Sequence, residues 1–189
     1  MMIIDRAMPG LARVTLHAQR CGEGLLAEAA HDAPRALRVV SPAFGSGGPM
    51  PARFTPEGQN ASPPLVWWGV PAAARELALI CEDPDAPRPD PFVHWTVYRI
   101  SAAAHELPEA LAEGDGPGGA VQGKNSCRRE GYVGPEPPRG RGVHHYHFQL
   151  FALDAPLELG LHADRDALVA AMRGHVLAVG ELVGTYERL

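Results

Sequence analysis

The chain is short of cysteine, of long apolar runs and of positive charge, and each shortage removes a class of protein. Cys21, Cys81 and Cys127 are odd in number and widely spaced, which suggests neither a disulfide framework nor a zinc site. No stretch approaches the roughly 20 apolar residues needed to span a bilayer. Met1 to Arg13 lack a basic segment leading into a continuous apolar one, so no secretory signal is read there and a reducing, cytoplasmic setting is expected. Lys and Arg total 17 against 22 Asp and Glu, a net charge of −5. That balance favours solubility and argues against broad nucleic-acid binding.

What is present is ordinary in hydrophobicity and rich in turns. The 189 residues are 46% hydrophobic and 21% charged, enough for one good core and marginal for two. The 21 glycines and 19 prolines fall in short clusters between apolar runs, which points to a mainly β fold. Residues 1–34 stand apart: Leu11, Val14, Ala18, Cys21 and Leu25 recur at helical spacing, interrupted by Gly22 and Gly24. They read as an N-terminal extension with a short amphipathic helix or two, packed on the body or on a partner copy, so a homodimer stays open.

From Leu37 the strand signals begin. Leu37–Val40, Leu65–Trp68, Glu76–Asp83, Phe92–Ile100, Tyr146–Leu153 and Leu182–Tyr186 are the expected strands, with Glu76–Asp83 apolar enough to be buried on both faces. Residues 101–131 are Ala- and Gly-rich, with one helical turn expected near Glu109. Asp164 is a candidate N-cap for a helix whose apolar stripe is Leu168, Met172, Val176 and Val179.

Chemistry-bearing residues gather after two proline-rich loops. Four prolines in residues 84–91 exclude helix and central strand, and a strand carrying His94 follows. Gly131 to Gly142 is a second Gly/Pro loop, and the strand after it opens with His144, His145, Tyr146 and His147. Strand alternation places His94 with Thr96, Tyr98 and Ile100, and His144 with Tyr146, Phe148 and Leu150, opposite His145 and His147. If these strand ends adjoin the Asp83–Asp85 loop, carboxylates, imidazoles and a phenol form a set suited to binding an oxyanion. Between Lys124 and His147, five basic residues (Lys124, Arg128, Arg129, Arg139, Arg141) face Glu130 and Glu136, a local surplus on an acidic chain.

Three other readings compete. Asp83, His94, His144 and His147 form a candidate metal set, without the short ligand spacing of zinc motifs. Gly118–Asn125 approximates a phosphate-binding loop, but Asn125 replaces the required hydroxyl and the following prolines forbid a helix. Cys127 suggests a Cys–His hydrolase, though no nucleophile elbow is present.

Asp83-Pro-Asp-Ala-Pro87, His94-Trp95, Gly131-Tyr-x-Gly-Pro-x-Pro-Pro-x-Gly140 and His144-x-Tyr-x-Phe148 together resemble the signature of the phosphatidylethanolamine-binding protein family, also called Raf-kinase-inhibitor-like. Ser41-Pro-Ala-Phe44, Gly48-Pro-Met-Pro51, Asn60-x-Ser-Pro-Pro-Leu65-x-Trp67, Gly174-His-Val-Leu-Ala178 and Gly184-Thr-Tyr186 resemble its bacterial branch. The likeness runs in order over about residues 37–189. It implies a large central β-sheet packed on a smaller one, with one or two peripheral helices near the C-terminus, as one domain over residues 35–189.

The resemblance also implies a small anion pocket lined by Asp83, His94, His144, Tyr146 and the backbone of the 134–138 loop, Gly134 included. Asp85, Pro87, Pro137 and Pro138 shape the loops. The implied partners are a phosphate-like or carboxylate anion and a regulated protein such as a kinase. No cofactor or metal is implied, and binding rather than catalysis is favoured, with a hydrolase or metal-dependent enzyme as the alternative. Three departures stand out: His145 where the family often has Arg, Pro56 where bacterial relatives often have Cys, and Glu136 where it usually has a small residue. Histidine titrates near 6.5, so anion affinity is expected to rise between about pH 8 and pH 6.

Overall fold

The structure, a computed structural model, describes residue 30 and residues 32–112 and 119–189. The helices expected between Leu11 and Leu25 lie outside the described residues. The described elements run β1 (Arg38–Val40), β2 (Gly48–Pro49), a 3₁₀ turn (Ala52–Phe54), β3 (Leu65–Trp68), β4 (Glu76–Asp83), β5 (Phe92–Ser101), β6 (Glu106–Leu107), β7 (Val121–Gln122), β8 (His144–Leu153), α1 (Arg165–Met172) and β9 (Val176–Tyr186). They form a small sheet, β1-β3-β6, and a larger one, β2-β9-β8-β4-β5-β7. The mainly β, two-sheet fold with a helix near the C-terminus agrees with the sequence.

β4 is the centre of the molecule, and all eight of its residues are buried. One face sends Leu77, Leu79 and Cys81 into a core with Trp67, Trp95, Phe148 and Leu150. The other sends Ala78 and Ile80 against Leu168, Val169 and Met172 of α1. The large sheet is therefore covered by the small sheet on one side and by α1 on the other. Each fully buried large apolar side chain in these layers contributes about 1.5–3 kcal/mol before entropy is charged.

α1 begins where expected: Asp164 Oδ1 accepts from the Ala167 N–H at 3.0 Å. Its apolar stripe is shorter than the sequence suggested. Arg173 is extended and Gly174 adopts φ +80°, a backbone that glycine reaches without strain and that ends the helix. Val176 and Val179 therefore belong to β9, which begins six residues before the expected Leu182. The turn near Glu109 is not helical: the chain forms the two-residue β6 and then turns through Ala110 at φ +55°.

Two bulges in β5 change which way its side chains point. Cys81 pairs with Trp95 but Glu82 pairs with Val93, so His94 is an extra residue in the ladder. Leu77 pairs with Ile100 and Leu79 with Val97, leaving Tyr98 and Arg99 opposite Ala78, with Arg99 at φ +57°. A bulge re-aims the side chains around it. His94 consequently packs against Tyr146, on the side of Trp95 and Phe148, and Ile100 joins that same core while Tyr98 joins the α1 side. The alternation read from sequence fails at both places.

Candidate functional site

Three chain segments meet at one end of the large sheet. Asp83 closes β4, His94 sits on the bulge of β5, and His144 opens β8. They line one hollow of about 320 Å³, walled by Ala86, Pro87, Arg88 and Phe92 from the first proline loop and by Val133, Gly134, Glu136, Pro137 and Pro138 from the second. Cys127 also reaches its wall. Proline fixes φ at several positions along both loops, which limits how far the walls can rearrange.

Asp83 and His144 form a buried pair. Nδ1 of His144 lies 2.8 Å from Oδ2 of Asp83, with side chains 6% and 5% exposed. Oδ1 of Asp83 accepts the Asp85 N–H at 2.8 Å, which folds the start of the proline loop back on the carboxylate. Burial pushes the Asp83 carboxyl up from its usual range, opposed mainly by the hydrogen bond and charge of His144. Asp85 repeats the arrangement outside: its Oδ2 accepts the His145 N–H at 2.9 Å and lies 2.7 Å from His145 Nδ1. Asp85 thus ties the first proline loop to the start of β8.

His94 is held differently. Its Nδ1 lies 2.6 Å from the Val133 carbonyl. A carbonyl only accepts, so Nδ1 carries the proton and Nε2 of the neutral ring is an acceptor. Burial lowers the His94 pKa to about 4; the Val133 bond opposes this and the nearby His144 adds to it. At neutral pH His94 is uncharged, and the expected proton uptake between about pH 8 and pH 6 cannot come from this ring.

Tyr146 stands behind the wall. Its ring packs edge-on against His94, centroids 5.0 Å apart, and it is 1% exposed. Its buried hydroxyl has no hydrogen-bond partner among the described residues, a costly state for a buried polar group. Burial, and after it the Asp83 carboxylate, push its pKa up, so it is a phenol with a proton to give.

The second loop supplies less than expected. Gly134 lines the hollow, but its N–H donates to Asn60 Oδ1 at 2.8 Å. Pro135, Pro137 and Pro138 have no N–H, which leaves Glu136 as the one uncommitted amide position in residues 134–138. Gly134 is there for space: a Cβ would stand 2.1 Å from the Phe54 carbonyl oxygen. Glu136 itself is half-exposed on the rim, its carboxylate 3.5 Å from Arg188, which also pairs with Glu57 at 3.0 Å.

His147 points to the other face and pairs with Glu181 at 2.9 Å, away from Asp83, His94 and His144. No group of three or more His, Cys, Asp or Glu side chains close enough to hold a metal occurs among the described residues. Lys124, from the approximate phosphate loop, is exposed, and its backbone pairs with that of Glu130 in an isolated β-bridge, with no helix directly after it. Sequence reasoning missed Arg88, Phe92 and Val133. Arg88 lies in the proline loop already singled out, and Val133 inside the Gly131–Pro138 motif; neither spacing shows that one gives a guanidinium and the other a carbonyl.

A mainly antiparallel two-sheet protein with a buried carboxylate–imidazole pair in a proline-walled hollow at one sheet end is a defined class. The chain belongs to the phosphatidylethanolamine-binding protein family, whose model matches residues 40–187. It is 46% identical over 152 residues to a UPF0098 protein of Pyrococcus horikoshii, covering 79% of this chain and 76% of that one. It is 42% identical over 156 residues to a UPF0098 protein of Chlamydia pneumoniae, covering 80% and 99%. Among solved structures it resembles the family homologue CT736 of Chlamydia trachomatis, with a TM-score of 0.75, 38% identity and coverage of 82% and 99%. Escherichia coli YbcL, also of this family, matches with a TM-score of 0.75, 32% identity and coverage of 80% and 98%. Among the described residues no helix is long and apolar enough to cross a membrane.

Proposed function

We propose that the hollow at Asp83, His94 and His144 binds a small molecule through a phosphoryl or carboxyl group, and that the protein is a cytoplasmic binder rather than an enzyme. The observation that carries this reading is the convergence of a buried Asp–His pair and a neutral acceptor imidazole on one hollow, with the unpartnered Tyr146 phenol packed behind His94. Arg88 on the wall supplies positive charge, and His144, its Nδ1 tied to Asp83, presents Nε2 to a ligand. His94 Nε2 accepts, so a ligand oxygen that keeps a proton, as in a phosphate monoester monoanion, suits it better than a bare dianion. The Tyr146 hydroxyl gains a partner if the His94 ring shifts on binding. Regulation of a protein partner, a kinase among them, would follow if occupancy alters the exposed loops, and residues 1–34 are the segment proposed to carry dimer or partner contacts.

The test is calorimetry with phosphoethanolamine on the wild type and on His144→Gln, which keeps a polar group beside Asp83. Loss of binding by about tenfold or more is expected, the value of one charge-assisted contact. Unchanged binding by a folded variant sinks the assignment. Incubation of the wild type with phosphate and carboxyl esters separates binder from hydrolase: turnover lost in His144→Gln would replace the binding reading with a catalytic one.

A further inference from the structure

The large sheet has a second hollow at the same end, on the face opposite the Asp83 site. It is larger, about 750 Å³, and includes Glu82 and Val93, which pair across β4 and β5 beside the His94 bulge. Its acidic side is mostly engaged. Glu82, 2% exposed, takes Arg165 Nε at 2.8 Å and Gln149 Nε2 at 3.0 Å. Asp166 takes Arg165 at 3.3 Å, and Asp164 caps α1. Apart from Arg165, its basic side is free of ion pairs: Arg88, Lys124 and Arg128 all line the hollow, and none forms an ion pair among the described residues, although Arg88 lies over the Phe92 ring at 5.6 Å. Asp90 is the acidic counterweight.

Two of these cations are carried on a fixed hairpin. The backbones of Lys124 and Glu130 pair in an isolated antiparallel β-bridge, and Asn125 Oδ1 accepts the N–H groups of Cys127 at 2.9 Å and Arg129 at 3.3 Å. Ser126 pins the hairpin to β5, donating its N–H to the Val93 carbonyl at 2.9 Å while its Oγ accepts the Val93 N–H at 2.9 Å. Arg128 is held at φ +60°, a conformation that asparagine or glycine adopts with less strain. Lys124 and Arg128 are two of the five residues in the local basic surplus seen in an acidic sequence.

We propose that this hollow is a second anion site, taking a small polyanion with two or more phosphate or carboxylate groups between Lys124 and Arg128 on the hairpin and Arg88 on the proline loop. Outside the Arg165 ion pairs and the Asp164 cap, three cations in the hollow face one carboxylate, Asp90, and a concave wall with such a local excess concentrates counter-ions of the other sign. The volume exceeds what a single phosphate fills, and no aromatic ring lines it, so recognition is by charge and not by stacking. Arg88 also lines the Asp83 hollow, so anions in the two sites share one guanidinium.

The test is calorimetry at low ionic strength with inorganic pyrophosphate and, separately, citrate. Lys124→Gln/Arg128→Asn removes two charges while suiting the left-handed backbone at position 128, and leaves Arg88 in place. Pyrophosphate affinity should fall about tenfold or more, as for the loss of two charge-assisted contacts, and should survive in His144→Gln. Arg141→Ala/Arg173→Ala, which removes equal charge elsewhere, should bind as wild type. Equal weakening by both double variants, no binding to wild type, or loss in His144→Gln alone each overturns the proposal. Citrate binding alongside pyrophosphate marks a general polyanion site; its absence marks a phosphate site.

Discussion

Holding His94 neutral has a thermodynamic cost that a denaturation experiment can read. The ring is 4% exposed and its pKa falls to about 4, against about 6.5 in an unfolded chain. The folded state therefore binds fewer protons than the unfolded state between those values, and stability falls as pH drops through that window. At about pH 7 the cost is a few tenths of a kcal/mol, and near pH 5 it reaches about 2 kcal/mol. A His94→Gln variant keeps an amide to donate to the Val133 carbonyl and does not titrate. Urea unfolding of both proteins at the two pH values should show wild type losing about 2 kcal/mol more than the variant. Equal losses, or a ring that titrates near 6.5 by NMR in the native state, would refute the claim that burial keeps His94 neutral. Asp83 does not confuse the comparison, because it is present in both proteins and its raised carboxyl pKa acts in the opposite direction.

Two further expectations concern the second proline loop. Gly134→Ala forces a Cβ against the backbone of Phe54 and Thr55, which cannot rotate away; a loss of about 1–3 kcal/mol is expected, read as a lower thermal midpoint, and an unchanged midpoint would show that the loop gives way. Glu136→Gln removes a rim carboxylate that is partly screened by solvent and by Arg188; phosphoethanolamine affinity should rise by up to about fivefold, and a fall would mean that Glu136 engages the ligand's amine instead.

The sequence was most legible where one rule acted alone. β4 reads as a doubly buried strand and is one, because the apolar run Leu77–Cys81 is too short for a helix and carries apolar side chains to both faces. It was least legible where an extra residue enters a ladder. Nothing in Phe92-Val-His94-Trp announces a bulge; the skip is forced by the pairing of β4 with β5, which only the tertiary structure supplies. Family resemblance placed His94 beside His144 although strict alternation put it on the opposite face from Trp95, and the bulge reconciles the two. The β9 boundary was missed for a related reason: apolar residues at 172, 176 and 179 fit a helix as well as a core, and Gly174 decides between them. The proline content of residues 134–138 already limited the amides there to two, and the hydrogen bond from Gly134 to Asn60 removes one of those.

The scarcity of backbone donors in that loop bears on how the site can change over generations. A cradle of main-chain amides is indifferent to point substitution, since every residue but proline brings the same N–H. This hollow instead presents a guanidinium, two imidazoles and two carboxylates, each replaceable by one codon change. The bulge and the prolines hold the frame while those groups vary. Specificity is therefore inherited residue by residue, and relatives that share the sheet need not share the ligand.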